Sequence, residues 1–314
     1  MLLTLKKGPA VLLLSSALFA VANLFLKLAS GLLPTEELAL VRCLFGIAVV
    51  LILSWWGLAD LTTHKKGLLI VRGLVGGMAM ILFFLAIGLG SLTNTMVLNN
   101  TSPIFAALFA AIFLKERISW RVLIPLVGSL IGIYLLVHPN FHHIRLGDVL
   151  ALGSGILSGV IMVIIRELRK TESAWSIFFY FSVFGAIYAG VMTVPVFEIP
   201  TWLGWTLMLV AASFATAGQI AMTWGFKYCT AAEGGILSMA SAPMGVLLGL
   251  VFLGEKLTLV EGAGVLLALV GSTVLSVIGP GDGGTVSSGA SEVGSTDPRK
   301  TPGKSSGESA GKSV

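Results

Sequence analysis

The sequence predicts an all-α integral membrane protein in which ten transmembrane helices form two inverted five-helix repeats. The first observation behind this fold class is composition. The chain of 314 residues is 56% hydrophobic and 11% charged, with a mean hydropathy of +0.96, whereas soluble domains carry about 25% charged residues. The 38 glycines fit a membrane protein, because small residues let membrane helices approach each other closely.

The second observation is an internal repeat. A shift of 139 residues superposes a first copy on a second without a gap, pairing Ser102 with Ser241, Leu108 with Leu247, Phe113 with Phe252, Leu114 with Leu253 and Glu116 with Glu255. We therefore expect residues 1–137 to form one five-helix repeat and residues 147–278 to form the second. The first apolar segment is predicted to be a helix rather than a signal peptide, because its copy lies inside the chain.

The third observation is the number of apolar segments. About 20 apolar residues cross a bilayer as a helix, and ten segments qualify: 9–29, 37–56, 67–89, 95–114, 119–137, 147–168, 175–195, 202–226, 231–253 and 258–278. Residues 279–314 consist mainly of Gly, Ser, Thr, Lys and Pro. This composition predicts a disordered cytoplasmic tail.

The distribution of Lys and Arg near the helix ends predicts the orientation. Twelve of these residues fall on one side and three on the other, which indicates a multi-pass protein of the cell inner membrane with both termini in the cytoplasm. Since each repeat has five helices, an odd number, the second repeat enters from the opposite side. Inverted repeats are typical of carriers that expose a central site to each side in turn.

The paired helix ends and prolines resemble a known family. The resemblance lies in Phe113–Arg117 (FLKER), its copy FLGEK at 252–256, Ser102-Pro103 and Ala242-Pro243. The chain resembles the EamA-type transporters of the drug/metabolite transporter superfamily over residues 9–278. This resemblance implies ten helices in two inverted repeats, export or exchange of amino acids, metabolites or drugs, and a cavity lined chiefly by helices 1, 3, 4, 6, 8 and 9. One departure is that Pro103 falls on Ala242, with the second proline one residue later.

Polar residues inside apolar helices are the candidate substrate-binding residues, because a polar group in hydrocarbon needs a wet cavity or a partner. Gln219 lies in mid-helix, and Asn99 lies one turn before Pro103. With nearby small polar and aromatic positions, the predicted binding set is Asn23, Phe84, Asn99, Ser102, Ser158, Gln219, Thr223, Trp224, Ser238 and Ser241. Hydrogen bonding between helices is the alternative role for the amides and serines.

Four further residues are predicted to have structural roles: Pro103, Glu116, Pro243 and Glu255. The two glutamates are expected to accept hydrogen bonds from backbone amides at the start of helices 5 and 10, where the helix dipole favours negative charge. Arg42, inside helix 2, either extends to the membrane surface or binds a carboxylate. His138, His142 and His143 have no supporting ligands, so no metal site is predicted.

Every Asp and Glu of the ten segments lies at or near a helix end. A proton-coupled site at mid-membrane and a strongly cationic substrate both require a carboxylate there, so neither is expected. The leading hypothesis is an alternating-access secondary transporter, exporter or exchanger, of a small neutral or zwitterionic organic metabolite such as an amino acid or a nucleoside-like compound. The alternative is a channel or a non-transporting membrane subunit.

An enzyme is the weakest hypothesis, because no nucleophile with a base and no carboxylate pair converge within the helices. The expected partners are the small-molecule substrate and the lipid bilayer, with the chain a monomer or a homodimer. The net charge of +5 arises from helix ends, so nucleic acid is not expected, and no cofactor is predicted.

Overall fold

The structure is a computed structural model that describes residues 7–89, 92–116, 119–137, 145–252 and 258–278. Regular secondary structure in these ranges is entirely helical, which confirms the predicted fold class. Several sequence predictions concern residues outside the described ranges: the tail 279–314, Glu255 and the three loop histidines.

Within the described ranges, twelve α-helices make up the ten predicted membrane crossings, because the fourth and ninth crossings are each divided. The helices are α1 Lys7–Ser30, α2 Thr35–Trp55, α3 Lys66–Leu89, α4 Leu92–Asn99, α5 Ser102–Phe109, α6 Trp120–Val137, α7 Leu146–Leu168, α8 Ala174–Thr193, α9 Trp202–Gly225, α10 Ala231–Ser238, α11 Ser241–Phe252 and α12 Leu259–Ile278. A π-helical turn, Ala110–Leu114, extends α5. Among the described residues, eight stretches are long and apolar enough to cross a membrane, and Trp120–Leu135 and Leu259–Val274 are shorter apolar helices.

The two divided crossings break at equivalent positions. The first break separates Asn99 from Ser102 and the second separates Ser238 from Ser241, and each boundary is displaced by the repeat length. Pro103 and Pro243 have no backbone N–H to donate into the preceding turn. Backbone hydrogen bonds to the residue three positions earlier occur there, as in a 3₁₀ turn: Thr101 N donates to Leu98 O at 3.2 Å, and Ala240 N donates to Leu237 O at 3.3 Å. The breaks are therefore equivalent although the prolines differ by one residue in register.

The inverted repeat is visible in how the helices pack. Helix α1 packs along α9, and the pair related to them by the repeat shift, α7 and α3, packs in the same way. Ser15 Oγ donates to Gly218 O at 2.8 Å, and Ser154 Oγ donates to Ala79 O at 2.9 Å. Both the donors and the acceptors differ by 139 residues, so one interhelical hydrogen bond occurs twice.

Side-chain contacts at the helix ends agree with ten crossings. Asn94 Nδ2, at the start of the fourth crossing, donates to Asp148 Oδ1 at 3.0 Å, at the start of the sixth. At the opposite face, Glu172 Oε1 accepts from the backbone N–H of Lys65 at 2.7 Å. Each contact joins two helix ends that lie on the same side of the membrane if the chain crosses it ten times.

The outer surface is apolar, as a lipid-facing surface must be. Ile124 is 69% exposed, Val191 71% and Val251 70%, and these residues belong to three different crossings. A soluble protein seldom exposes so much large apolar surface. The interior instead contains small residues and short polar side chains, including Ala20, Ala106, Ser16 and Ser154.

Candidate functional site

The first helix break is held by a chain of side-chain hydrogen bonds. Asn99 Nδ2, at the end of α4, donates to Ser154 Oγ on α7 at 3.0 Å, and Ser154 in turn donates to Ala79 O on α3 at 2.9 Å. The Asn99 side chain is half-buried. Its amide therefore links three helices that belong to both repeats.

Two glycines let α7 lie directly against this break. A Cβ at Gly155 would lie 2.8 Å from Leu98 O, and one at Gly159 would lie 2.8 Å from Ala106 N. A side chain at either position would collide with the backbone of α4 or α5. Ser158 lies between these glycines and is half-buried. Ser102, at the start of α5, is 7% exposed.

The second break is satisfied mainly by serine hydroxyls. Ser16 Oγ on α1 donates to Leu237 O at 2.9 Å, and Ser272 Oγ on α12 lies 3.3 Å from Ile236 O. Ser238 donates to Gly234 O at 2.8 Å within its own helix, and Ser241 donates to Ser238 O at 2.9 Å. Ser238 and Ser241, two of the predicted site residues, are thus engaged with local backbone carbonyls, which is the common behaviour of serine in a helix.

The two breaks lie next to each other. Pro103, one residue into α5, packs against Gly235 of α10, where an added Cβ would lie 2.9 Å from the proline Cβ. Pro103 is buried, as is Pro243 at the equivalent turn of α11. The structure therefore brings the Asn99 and Ser238 turns to one region where the repeats cross.

Gln219 on α9 has a different environment. Gln219 is only 6% exposed, yet its side-chain amide makes no hydrogen bond with any described residue. Its backbone carbonyl accepts from Thr223 Oγ1 at 2.8 Å, so that hydroxyl is engaged locally. The neighbouring Gly218 lies against Phe19 of α1. Gln219 is therefore a buried predicted site residue whose amide is not engaged by the described part of the chain.

The other predicted site residues are less closely gathered. Asn23 is exposed on α1, and Trp224 is 50% exposed at the end of α9. Phe84 lies on α3, but its side chain is outside the described part of the chain. A surface depression of about 430 Å³ is lined by Pro200, Trp202, Trp205 and Leu209. Because it lies at the start of α9, ten residues or more before Gln219, we do not assign it to the substrate.

Glu116 joins the two repeats at the opposite end of the fourth crossing. Arg166 Nε on α7 donates to Glu116 Oε1 at 3.4 Å, and Ala231 N, at the start of α10, donates to Glu116 Oε2 at 3.3 Å. A helix N-terminus was predicted as the partner, but at the start of the fifth predicted segment, which is α6. The described contact is with α10 instead, because the repeats cross there.

Arg166 completes this cluster. It is 4% exposed, and its Nη1 donates to Phe226 O at 3.1 Å and to Lys227 O at 2.9 Å. Burial raises the pKa of the adjacent Cys229 thiol to about 12, and the charge of Glu233 acts in the same direction. This cysteine is therefore a protonated packing residue and not a nucleophile.

Three serines and one arginine with notable contacts are absent from the predicted site residues. Ser15, Ser16 and Ser154 form the interhelical bonds described above, and the available signal was that the repeat shift places a serine on a serine at positions 15 and 154. Arg72 was counted only as a charge near a helix end, but it is 3% exposed within α3. Among the described residues, no group of three or more His, Cys, Asp or Glu side chains could hold a metal ion.

Comparison with known proteins places these features in a family. The EamA-like transporter family matches residues 6–138 and again residues 145–277. A protein of Pseudomonas aeruginosa strain UCBPP-PA14 named pseudopaline exporter CntI is 29% identical over 226 residues, which is 71% of this chain and 80% of that protein. Human solute carrier family 35 member G1 is 30% identical over 192 residues, covering 56% of this chain and 52% of that protein.

A solved crystal structure shares the fold. It superposes with a TM-score of 0.71 at 18% sequence identity, covering 86% of this chain and 96% of that one. The family match spans nearly all of the membrane part, with one copy on each five-helix repeat. This chain is a multi-pass membrane protein that belongs to the EamA-like transporter family of the drug/metabolite transporter superfamily.

Proposed function

We propose that this protein is an alternating-access secondary transporter, exporter or exchanger, of a small neutral or zwitterionic organic metabolite such as an amino acid or a nucleoside-like compound. The observation that carries the proposal is the pair of helix breaks at Asn99–Ser102 and Ser238–Ser241, equivalent in the two repeats and adjacent through Pro103 and Gly235. Irregular backbone at membrane depth is tolerated where it is buried in protein or lines a cavity. Inverted halves around such a site can exchange conformations and so open it to either side.

The substrate class follows from the side chains near the breaks. Asn99 and Gln219 offer amides. The carboxylates of the described residues lie in first turns, last turns or loops: Glu36, Glu37, Asp60, Glu116, Asp148, Glu167, Glu172, Glu198, Glu233 and Glu261. Amides and hydroxyls can bind a neutral or zwitterionic solute, and a cation would lack a partner. A relative named as an exporter supports outward transport.

The proposed location is the cell inner membrane, with cytoplasmic termini. The excess of Lys and Arg on one side, twelve against three, supports this orientation. A green fluorescent protein fused after Val314 should fluoresce if the C-terminus is cytoplasmic. Green fluorescent protein folds in the cytoplasm, but it does not fold after it has been exported unfolded across the membrane. A dark fusion that is instead active with periplasmic alkaline phosphatase would reverse the orientation.

Transport itself is tested in proteoliposomes. A thermal-shift screen of the purified protein against a metabolite library identifies a ligand, since a solute that binds the folded state raises its apparent stability. That solute should then show saturable uptake and counterflow. Flux that neither saturates nor shows counterflow would identify a channel, and no flux for any stabilising solute would identify a non-transporting subunit.

Two variants test the site. Gln219→Ala and Asn99→Ala should each reduce the apparent affinity for the identified solute by roughly tenfold, the effect of about one lost hydrogen bond. Ser213→Ala is the matched control on α9, because its hydroxyl is exposed and donates to Leu209 O in its own helix. If both test variants transport as well as the control, the breaks do not form the substrate site.

A further inference from the structure

Arg72 on α3 is a buried cation without an anionic partner. It is 3% exposed, and neither its Nε nor its Nη1 makes a hydrogen bond. The guanidinium lies over the ring of Phe181 on α8, with Cζ 4.7 Å from the ring centroid. No carboxylate of the described residues forms an ion pair with it. A guanidinium has five N–H donors, so most of its capacity is unused by the protein.

The surroundings accommodate this side chain specifically. Gly76 lies one turn further along α3, and a Cβ there would collide with Arg72 Nη1. The glycine therefore leaves the volume that the guanidinium occupies. A buried, unpaired charge lowers stability, and a ring face compensates for only part of the lost hydration. Such an arrangement is expected where an anion binds during function.

Arg72 also lies close to the predicted substrate site. Ala79 is seven residues further along α3, which places it on the same face of the helix, roughly 10 Å away. The carbonyl of Ala79 accepts the hydrogen bond from Ser154, which itself accepts from Asn99. A solute of metabolite size bound beside Asn99 could thus reach the guanidinium with one end.

A second arginine, Arg42, lies in the same repeat as Arg72 but on the preceding helix. Arg42 on α2 is the repeat equivalent of Phe181, since 42 plus 139 is 181. Its guanidinium lies 5.9 Å from the ring centroid of Phe19 on α1, and it forms no ion pair with any described residue. Arg72 is six residues from the start of α3 and Arg42 is seven from the start of α2. Those two helices begin on opposite sides of the membrane.

We propose that the transported solute carries a carboxylate, which Arg72 binds when the site is open towards the side where α3 begins, and which Arg42 binds in the opposite state. The proposal rests on the proposed transport function and narrows its substrate class to carboxylate-bearing zwitterions. Arg binds a carboxylate through two parallel N–H donors. The aromatic rings hold each guanidinium while it is empty. An anionic lipid headgroup has related chemistry and is distinguished by the test.

The experiment uses carboxylic acids matched with their primary amides, such as leucine with leucinamide, chosen from several metabolite classes. Binding by thermal shift and counterflow in proteoliposomes are measured for the wild type, Arg72→Gln and Arg42→Gln. The control is Arg121→Gln, whose arginine is exposed at the start of α6. Acids, and not their amides, should bind and be transported. Both test variants should weaken acid binding by roughly 10- to 100-fold, as expected for loss of a charged hydrogen bond, and Arg121→Gln should not.

Several results would overturn the proposal. Amides that bind as well as acids would show that no carboxylate is recognised. Acid binding by Arg72→Gln at the wild-type affinity would show that Arg72 does not bind the carboxylate. Transport restricted to solutes without a carboxylate would leave the proposed function intact and reject this inference alone. If no solute of any class is transported, the function itself is rejected, and the inference with it.

A third variant tests Arg72 without any solute. Arg72→Met keeps the length of the side chain and removes the charge, so the melting temperature of the ligand-free protein should stay unchanged or rise. A large fall would assign Arg72 a structural role and overturn the proposal. Adding phosphatidylglycerol vesicles should stabilise wild type and Arg72→Met equally. If phosphatidylglycerol stabilises only the wild type, the anion is a lipid headgroup and not the solute.

Discussion

The two helix breaks share a position but differ in how their polar groups are satisfied. At the first break, Asn99 donates to Ser154 on α7, so a side-chain amide reaches across to the other repeat. At the equivalent position in the second break, Ser238 donates to Gly234 O within its own helix. The hydrogen bond from another helix comes here from Ser16 on α1, which donates to the carbonyl of Leu237.

This difference separates what the repeat duplicates from what each half has changed. The breaks and the Ser15–Gly218 and Ser154–Ala79 bonds are duplicated, and they set the crossing of the helices. The amide of Asn99 and the guanidinium of Arg72 occur in one half only, since their repeat equivalents are Ser238 and Ala211. Duplicated groups therefore maintain the architecture, and the groups unique to one half are the candidates for recognising a solute.

The largest expected effect is at the end of the first broken crossing. Arg166→Gln removes a buried guanidinium that contacts Glu116, Phe226 and Lys227, and it should lower the free energy of unfolding by about 3 kcal/mol. Its repeat equivalent, Lys27, is exposed, so Lys27→Gln should cost less than about 1 kcal/mol. Unfolding of the purified protein by titration with SDS measures both. Equal losses would mean that the two crossings end with equally strong contacts.

A second variant addresses helix separation at the breaks. Gly159→Ala places a methyl group against the backbone of α5 and should lower the free energy of unfolding by about 1–3 kcal/mol. The equivalent position on α1 already carries a methyl, because Ala20 is there and is 1% exposed. Gly153→Ala is the matched control on α7, since the nearest atom to its Cβ would be Leu82 Cδ1 at an ordinary 3.5 Å. A control as unstable as Gly159→Ala would contradict close approach as the cause.

The third prediction compares the two polar residues directly. Asn99→Ala removes an interhelical bond and should lower the free energy of unfolding by about 1 kcal/mol, because hydrogen bonds between membrane helices contribute modestly. Ser238→Ala should change it by less than about 0.5 kcal/mol, since the hydroxyl bonds only to its own helix. The same SDS titration applies. A greater loss from Ser238→Ala would place the more important contact at the second break.

The smallest expected effect concerns the turn that positions Glu116. Lys115 has φ of +55°, which a glycine adopts without steric cost, and its repeat equivalent in the sequence is Gly254. Lys115→Gly should therefore raise the free energy of unfolding by up to about 1 kcal/mol. Thermal unfolding in detergent is sufficient to detect it. A decrease would indicate that the lysine side chain contributes more than the relief of strain.

The sequence alone determined the fold class and the family. Hydropathy is a local property, so ten apolar segments could be counted without any tertiary information. The repeat shift then fixed the inverted arrangement and paired Ser102 with Ser241, which is where the structure starts α5 and α11. The binding role of Asn99, Gln219 and the other predicted site residues remains a prediction.

Only the tertiary structure decided which groups meet. The partners of Glu116 are Arg166 and Ala231, 50 and 115 residues away, and no local pattern indicates them. Arg72 counted in the sequence as one more charge near a helix end, yet packing against Phe181 and Gly76 buries it. The physical reason is that composition and periodicity fix which segments are helical and apolar. The rotation and crossing of each helix, set by packing against its neighbours, fix which side chains face one another.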